Sequence, residues 1–192
     1  MPGTLRKLTH ALILFAACAA AASAQVPATP ASAADRFAPY AFLAGGTWTV
    51  VDDVPGAAAN AVTEYTFEWV LGGKFLQSRH TATREGKTLS SSISFIGWDA
   101  ARQSMAQWGF NNAGLTAVLY AAPGSVPDSF TLEGKLGSSE RAPQIRSTYR
   151  RIAENELEVR TEMLRDGKFE TVGTVRLKRS SPANPQPRGE GR

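Results

Sequence analysis

The chain has 192 residues, 43% of them apolar and 20% charged, with 21 Lys and Arg against 17 Asp and Glu for a net charge of +4. The bases are too evenly balanced and too scattered for a nucleic-acid face, and no acidic tail or block of like charge is present. Cys18 is the single cysteine, which excludes an internal disulfide and leaves packing to hold the fold together.

At the start, MPGTLRKLTH places Arg6 and Lys7 before the apolar run ALILFAACAAAASA. A charged beginning, a short apolar stretch and the small residues Ala22, Ser23 and Ala24 form an export signal, with cleavage expected after Ala24. The run is shorter than the roughly 20 residues that cross a bilayer, so no transmembrane span is expected in the mature protein. A rival reading makes Cys18 the acylated residue of a lipoprotein. Ala16 and Ala17 suit it, whereas Phe15 stands where a small aliphatic residue is usual. The expected location is periplasmic or secreted. Losing the signal takes the bases from 21 to 19 against 17 acids, so the mature net charge is +2. The expected organisation is a signal peptide at 1–24, a flexible linker at 25–34, one folded domain at 35–179 and a disordered tail at 180–192. Linker and tail, QVPATPASAA and SSPANPQPRGEGR, hold too few large apolar groups to offset the entropy of ordering.

Segment 35–43 offers Asp35 as a helix cap followed by Phe37, Tyr40, Phe42 and Leu43, a short helix that Pro39 keeps short. Segment 62–71 decides the fold class. Tyr65, Phe67, Trp69 and Leu71 alternate with Glu64, Thr66 and Glu68, a period of two that makes one aromatic and one wet face on a strand. On a helix the same residues would scatter round the axis. Comparable strands are predicted at 47–52, 74–83, 88–98, 103–110, 115–120, 129–136, 145–152, 157–164 and 168–179. Turn residues separate them, most clearly Asp166 and Gly167. About ten strands with no long helical pattern predict an all-β fold, a single antiparallel up-and-down β-barrel with a short N-terminal helix. Closure is preferred because an open meander of this length would leave two unblocked edges.

The stretch LAGGTWTV at 43–50 carries Gly46, Thr47 and Trp48, which resemble the Gly-x-Trp opening of the calycin barrels, the group of lipocalins and fatty-acid-binding proteins. FEWVLGGKFL, FIGWDAARQSMAQWGF and the final hairpin at Asp166 and Gly167 extend the likeness, over residues 36–179, to a bacterial lipocalin-like domain family that carries a fold and no assigned activity. The resemblance implies that Gly46 turns the chain into the barrel, that Trp48 plugs its closed end, and that an Arg of the last strand lies across the Trp ring. Arg176 is preferred for that role over Arg179. Nitrobindins, a related barrel group, hold haem through a late His, and the last two strands here contain none, so no haem or other cofactor is expected.

The mature chain keeps one imidazole, His80, beside Arg79 on the third strand, where neighbours face opposite ways. Facing inward, His80 is a candidate base or ligand contact; facing outward it is a surface histidine. One His and no Cys is too few for zinc, so no metal is expected. Glu64 and Glu68 read as solvated surface. In the fourth strand Ser90, Ser92 and Ser94 oppose Leu89, Ile93 and Phe95, and which set faces the lumen is open, with the solvent-facing arrangement of the serines preferred. The leading expectation is an exported barrel that binds a small apolar molecule without catalysis, through Tyr65, Phe67, Trp69, His80, Trp108 and Tyr120. The alternatives are a small-molecule isomerase or hydrolase using His80 or Arg79, and a protein-interaction component of the envelope.

Overall fold

The computed structural model describes residues 36–51 and 60–180. The expected signal peptide with Cys18, the expected linker, Asp35, Asp52 and the expected tail beyond Ser180 lie outside the described residues.

Ten strands run in chain order: β1 (Thr47–Val50), β2 (Val62–Val70), β3 (Phe75–Arg84), β4 (Lys87–Asp99), β5 (Ser104–Asn111), β6 (Thr116–Ala121), β7 (Ser129–Leu136), β8 (Gln144–Ala153), β9 (Glu156–Arg165) and β10 (Lys168–Arg179). Each pairs antiparallel with the next, and β1 also pairs with β10, so the sheet is a closed barrel. The closing register sets Trp48 opposite Arg179 and Val50 opposite Leu177. Closure removes both free edges, which is the expected reason for a meander to roll up.

Two turns show how local chemistry fixes the hairpins. Asp166 and Gly167, at φ 49° and 76°, join β9 to β10, and Glu85 and Gly86, at φ 51° and 74°, join β3 to β4. Both pairs have the two positive φ values of a type I′ turn, whose twist suits a two-residue hairpin. Beyond the turns, the registers break at β-bulges: in β4 at Leu89, across from Ala82 and Thr83, in β8 at Ile152, and in β10 at Val172, between Thr171 and Gly173. A one-residue shift moves every later side chain on that strand to the other face.

A 3₁₀ helix, Ala38–Leu43, covers one end of the barrel. Pro39 sits in its first turn, where a missing N–H costs nothing, and Phe37 occupies the cap position without a side-chain hydrogen bond. Tyr40 and Leu43 are buried, and with Trp48, Leu76, Ile96, Phe130, Leu157 and Leu177 they fill this end with large side chains. Trp48 Nε1 donates to the Leu43 carbonyl (3.0 Å), which satisfies the buried indole N–H. The guanidinium carbon of Arg179 lies 4.2 Å from the centre of the Trp48 ring, and Arg179 also donates to the Phe42 carbonyl. This corrects the expectation for Arg176, which sits on the outer wall near Glu158 (4.0 Å). The physical reason is the β10 bulge. It puts Val175, Leu177 and Arg179 on the inner face and Arg176 and Lys178 on the outer one. Ser180, expected to begin the tail, donates through its N–H to the Thr47 carbonyl (2.8 Å) and so extends the β1–β10 junction.

Candidate functional site

The other end of the barrel is hollow. A cup of about 270 Å³ opens there, lined by residues of β2–β8. Tyr65 and Phe67 line it from β2, with ring centres 6.5 Å apart and planes within 9° of parallel. His80, directly across from Tyr65 on β3, tilts against it with ring centres 4.7 Å apart. Cross-strand partners share a face, so an inward Tyr65 makes His80 inward and Arg79 outward. Arg79 instead meets the Gln77 side-chain amide and lines a shallow groove of about 320 Å³ that passes over the rim.

On β4 the serines face inward. His80 pairs with Ser92 and Ser78 with Ser94, and Ser92 and Ser94 both line the cup. The preferred solvent-facing arrangement is therefore corrected, and the bulge at Leu89 explains why. Extended straight from the Glu85–Gly86 turn, the ladder would pair His80 with Ser91 and turn Ile93 and Phe95 into the lumen. The extra residue shifts the register and admits the serines instead. A hydrogen-bonded chain results: the Ser78 and Ser94 hydroxyls lie 2.7 Å apart, and Gln107 Nε2 donates to Ser94 Oγ (2.8 Å). Tyr149 stacks on Phe130 (4.7 Å, 11°), which ties the cup floor to the packed end. Gly109 leaves room beside Ser94. A Cβ added there would stand 3.7 Å from Ser94 Cβ and 3.8 Å from Ala117 Cβ.

The electrostatics of the cup are uniform. None of its eighteen lining residues is Asp, Glu, Lys or Arg. Desolvation pushes the Tyr65 phenol up to about 12, with the neighbouring Tyr149 adding to the rise, and burial also raises Tyr149. Burial holds the His80 imidazole below its ordinary 6.5, so it is neutral at pH 7. No carboxylate orients His80 among the lining residues, which leaves it without the partner that tunes a general base. Among the described residues no cluster of three or more His, Cys, Asp or Glu is placed to hold a metal. No described helix is long and apolar enough to cross a membrane.

Of the six ligand contacts expected from sequence, Tyr65, Phe67 and His80 line the cup. Trp69, Trp108 and Tyr120 do not. Trp69 shares the inner face of β2 but lies at the packed end, edge-on to Phe37 at 5.2 Å. Trp108 points outward because Gln107 and Gly109 take the inner positions of β5, and its ring meets Phe75 at 6.3 Å. Tyr120, next to the inward Leu119, is covered by the Arg102 guanidinium at 4.4 Å. Tyr149, Gln107, Gly109 and Ser147 were missed as site residues. The signal for them is register: once Tyr65 is inward, ladder partners propagate the face round the sheet, provided that the bulges are known.

The outer wall of β3–β6 is the converse of the cup. Gly97 lies under the Phe75 ring, and Phe95, Trp108 and Val118 form the neighbouring row in register. Phe110 and Ile93 continue it to the rim, Phe110 being 48% exposed. The wall of β7–β10 is charged instead, with ion pairs such as Arg146–Glu133 (2.9 Å) and Arg150–Glu158 (2.8 Å).

Compared with protein-family models and with curated proteins, the chain matches none. The closed ten-strand antiparallel barrel is compatible with a calycin-like architecture.

Proposed function

We propose that the chain is an exported, calycin-like barrel of the cell envelope that holds a small molecule in its open end, without catalysis. The lipocalin-like resemblance and the export signal in the sequence support the class and the compartment. The observation that carries the reading is the contrast within one lumen, where large side chains fill the helix-covered end and a cup of about 270 Å³ persists at the other. Close packing is the rule in protein interiors, and pockets for small ligands begin near 300 Å³, so the cup suits a compact ligand. Its β2 side is aromatic and its β3–β4 side is hydroxyl-bearing, which refines the small apolar ligand expected from sequence to one with a flat apolar part and hydrogen-bonding groups.

The test is ligand-dependent stabilisation of the purified protein against a panel of ring compounds, alongside native mass spectrometry of the protein as isolated. A ligand at 100 times its Kd adds about 2.7 kcal/mol. Gly109→Val, which narrows the cup beside Ser94 and Ala117, is expected to reduce that gain while leaving the fold intact. Equal stabilisation of Gly109→Val would remove the cup from the reading.

A second reading, a protein-interaction component, is favoured by the apolar outer wall of β3–β6. In it the apolar row Phe95, Trp108 and Val118 packs against the same row of a second copy of the chain. Sedimentation checks it: a dimer that Trp108→Glu converts to monomer supports the reading, and a monomeric parent protein ends it.

A further inference from the structure

Resting on the ligand-holding reading, we infer that the cup selects uncharged molecules and rejects carboxylates and ammonium groups of the same shape. Selection follows from what a buried ion needs. A charged group leaving water must find an opposite charge or several strong hydrogen bonds, and without them the desolvation cost stands uncompensated. The cup offers no formal charge of either sign, because its eighteen lining residues include no Asp, Glu, Lys or Arg. Its three titratable side chains, Tyr65, His80 and Tyr149, are held neutral by their surroundings.

Geometry gives the rest of the ligand's description. Ser94, Ser78 and Gln107 are already bonded to one another, so they present a satisfied polar floor. Above it, Ser92 and His80 face each other across the β3–β4 ladder and supply donors and acceptors of both kinds. Beside them on β2 stand the parallel rings of Tyr65 and Phe67. A flat ring seats against the aromatic side while a hydroxyl or carbonyl reaches the serine side. The cation of the adjoining rim groove, Arg79, lies on the outer face of β3. For an anion to reach it, the anionic group must leave the cup and cross the rim.

The decisive probes are three molecules of one shape, 2-naphthalenemethanol, 2-naphthoate and 2-naphthylmethylammonium, titrated at pH 7.5 into the full mature chain. Binding is followed by the NMR resonances of the Tyr65, Tyr149 and His80 rings, with Gly109→Val as the narrowed-cup control. The alcohol is expected to bind at least about ten-fold more tightly than either ion, and the control is expected to bind it more weakly. Tighter binding of the naphthoate, lost in Arg79→Gln, would reassign the site to anions gripped from the rim and overturn the inference. Tighter binding of the ammonium would overturn it in favour of an aromatic cage. If none of the three perturbs those rings, the ligand-holding reading falls, and selection by charge falls with it.

Discussion

The two ends of this barrel are made by the same ten strands and differ in what their inner faces carry. At the helix-covered end Trp48, Tyr40, Leu43 and Phe130 interlock, and the indole N–H and a guanidinium both find backbone carbonyls. At the open end the inner positions are serines, a glycine, a glutamine and two phenols round a void. The difference teaches where stability resides and where the proposed reading places a ligand. Packed apolar volume at the covered end holds the fold, while the cup forgoes packing and keeps its polar groups within reach of a ligand.

The comparison breaks most visibly at Trp48. Trp48→Ala empties the covered end and is expected to cost about 3–5 kcal/mol in denaturant unfolding. By contrast Tyr65→Phe, which deletes a hydroxyl at the cup, should change stability by less than about 1 kcal/mol. Equal losses at the two ends would refute the division of labour.

Arg179 and Arg176 sharpen it next. Arg179→Met removes a cation over the Trp48 ring and a charged donor to the Phe42 carbonyl, with an expected loss of about 2 kcal/mol. Arg176→Met acts on an exposed outer-wall ion pair with Glu158 and should stay within about 0.5 kcal/mol. Matched chemical unfolding of the two variants decides between them, and a larger loss at Arg176 would contradict the observed facing of β10.

A pH arm isolates the cup. The folded-state pKa of His80 lies below its unfolded value of about 6.5, so between the two the unfolded chain binds more protons. Stability contributed by neutral His80 is complete above pH 6.5 and is lost as pH falls through that window toward the folded pKa. The urea midpoint of the parent protein should therefore drop more between pH 7.5 and 5.5 than that of His80→Asn. Identical drops would place the imidazole in water rather than in the cup.

The smallest expected effect is a gain. Gly109→Ala adds a Cβ at ordinary contact distance from Ser94 and Ala117 and removes a strand glycine, which should raise stability by about 0.5–1 kcal/mol. A loss in the same assay would show that the wall beside Ser94 has no room to spare.

Most of the architecture was legible without coordinates. The strict alternation from Tyr65 to Trp69, and turn pairs such as Asp166–Gly167, placed the ten strands nearly to the residue, and the need to pair two edges implied closure. Gly46, Thr47 and Trp48 pointed to the covered end, where Trp48 is fully buried. The site was half legible: Tyr65, Phe67 and His80 line the cup, whereas Trp108 and Tyr120 were drawn inward by the assumption that the bulkier face of a strand is the inner one. In β4 and β5 the open half of the barrel inverts that rule, with Ser92, Ser94, Gln107 and Gly109 inside and Phe95, Trp108 and Phe110 on the outer side.

Local sequence determined the strands, their order and their turns, because period and turn chemistry act over a few residues. Only the tertiary structure decided which way several strands face. An extra residue in β4, Leu89, and another in β10, Val172, each slip the register by one, and neither is marked by a residue type that demands it. Each slip exchanges inside for outside along the rest of its strand, which turns the serines into the lumen and lays Arg179, rather than Arg176, across Trp48.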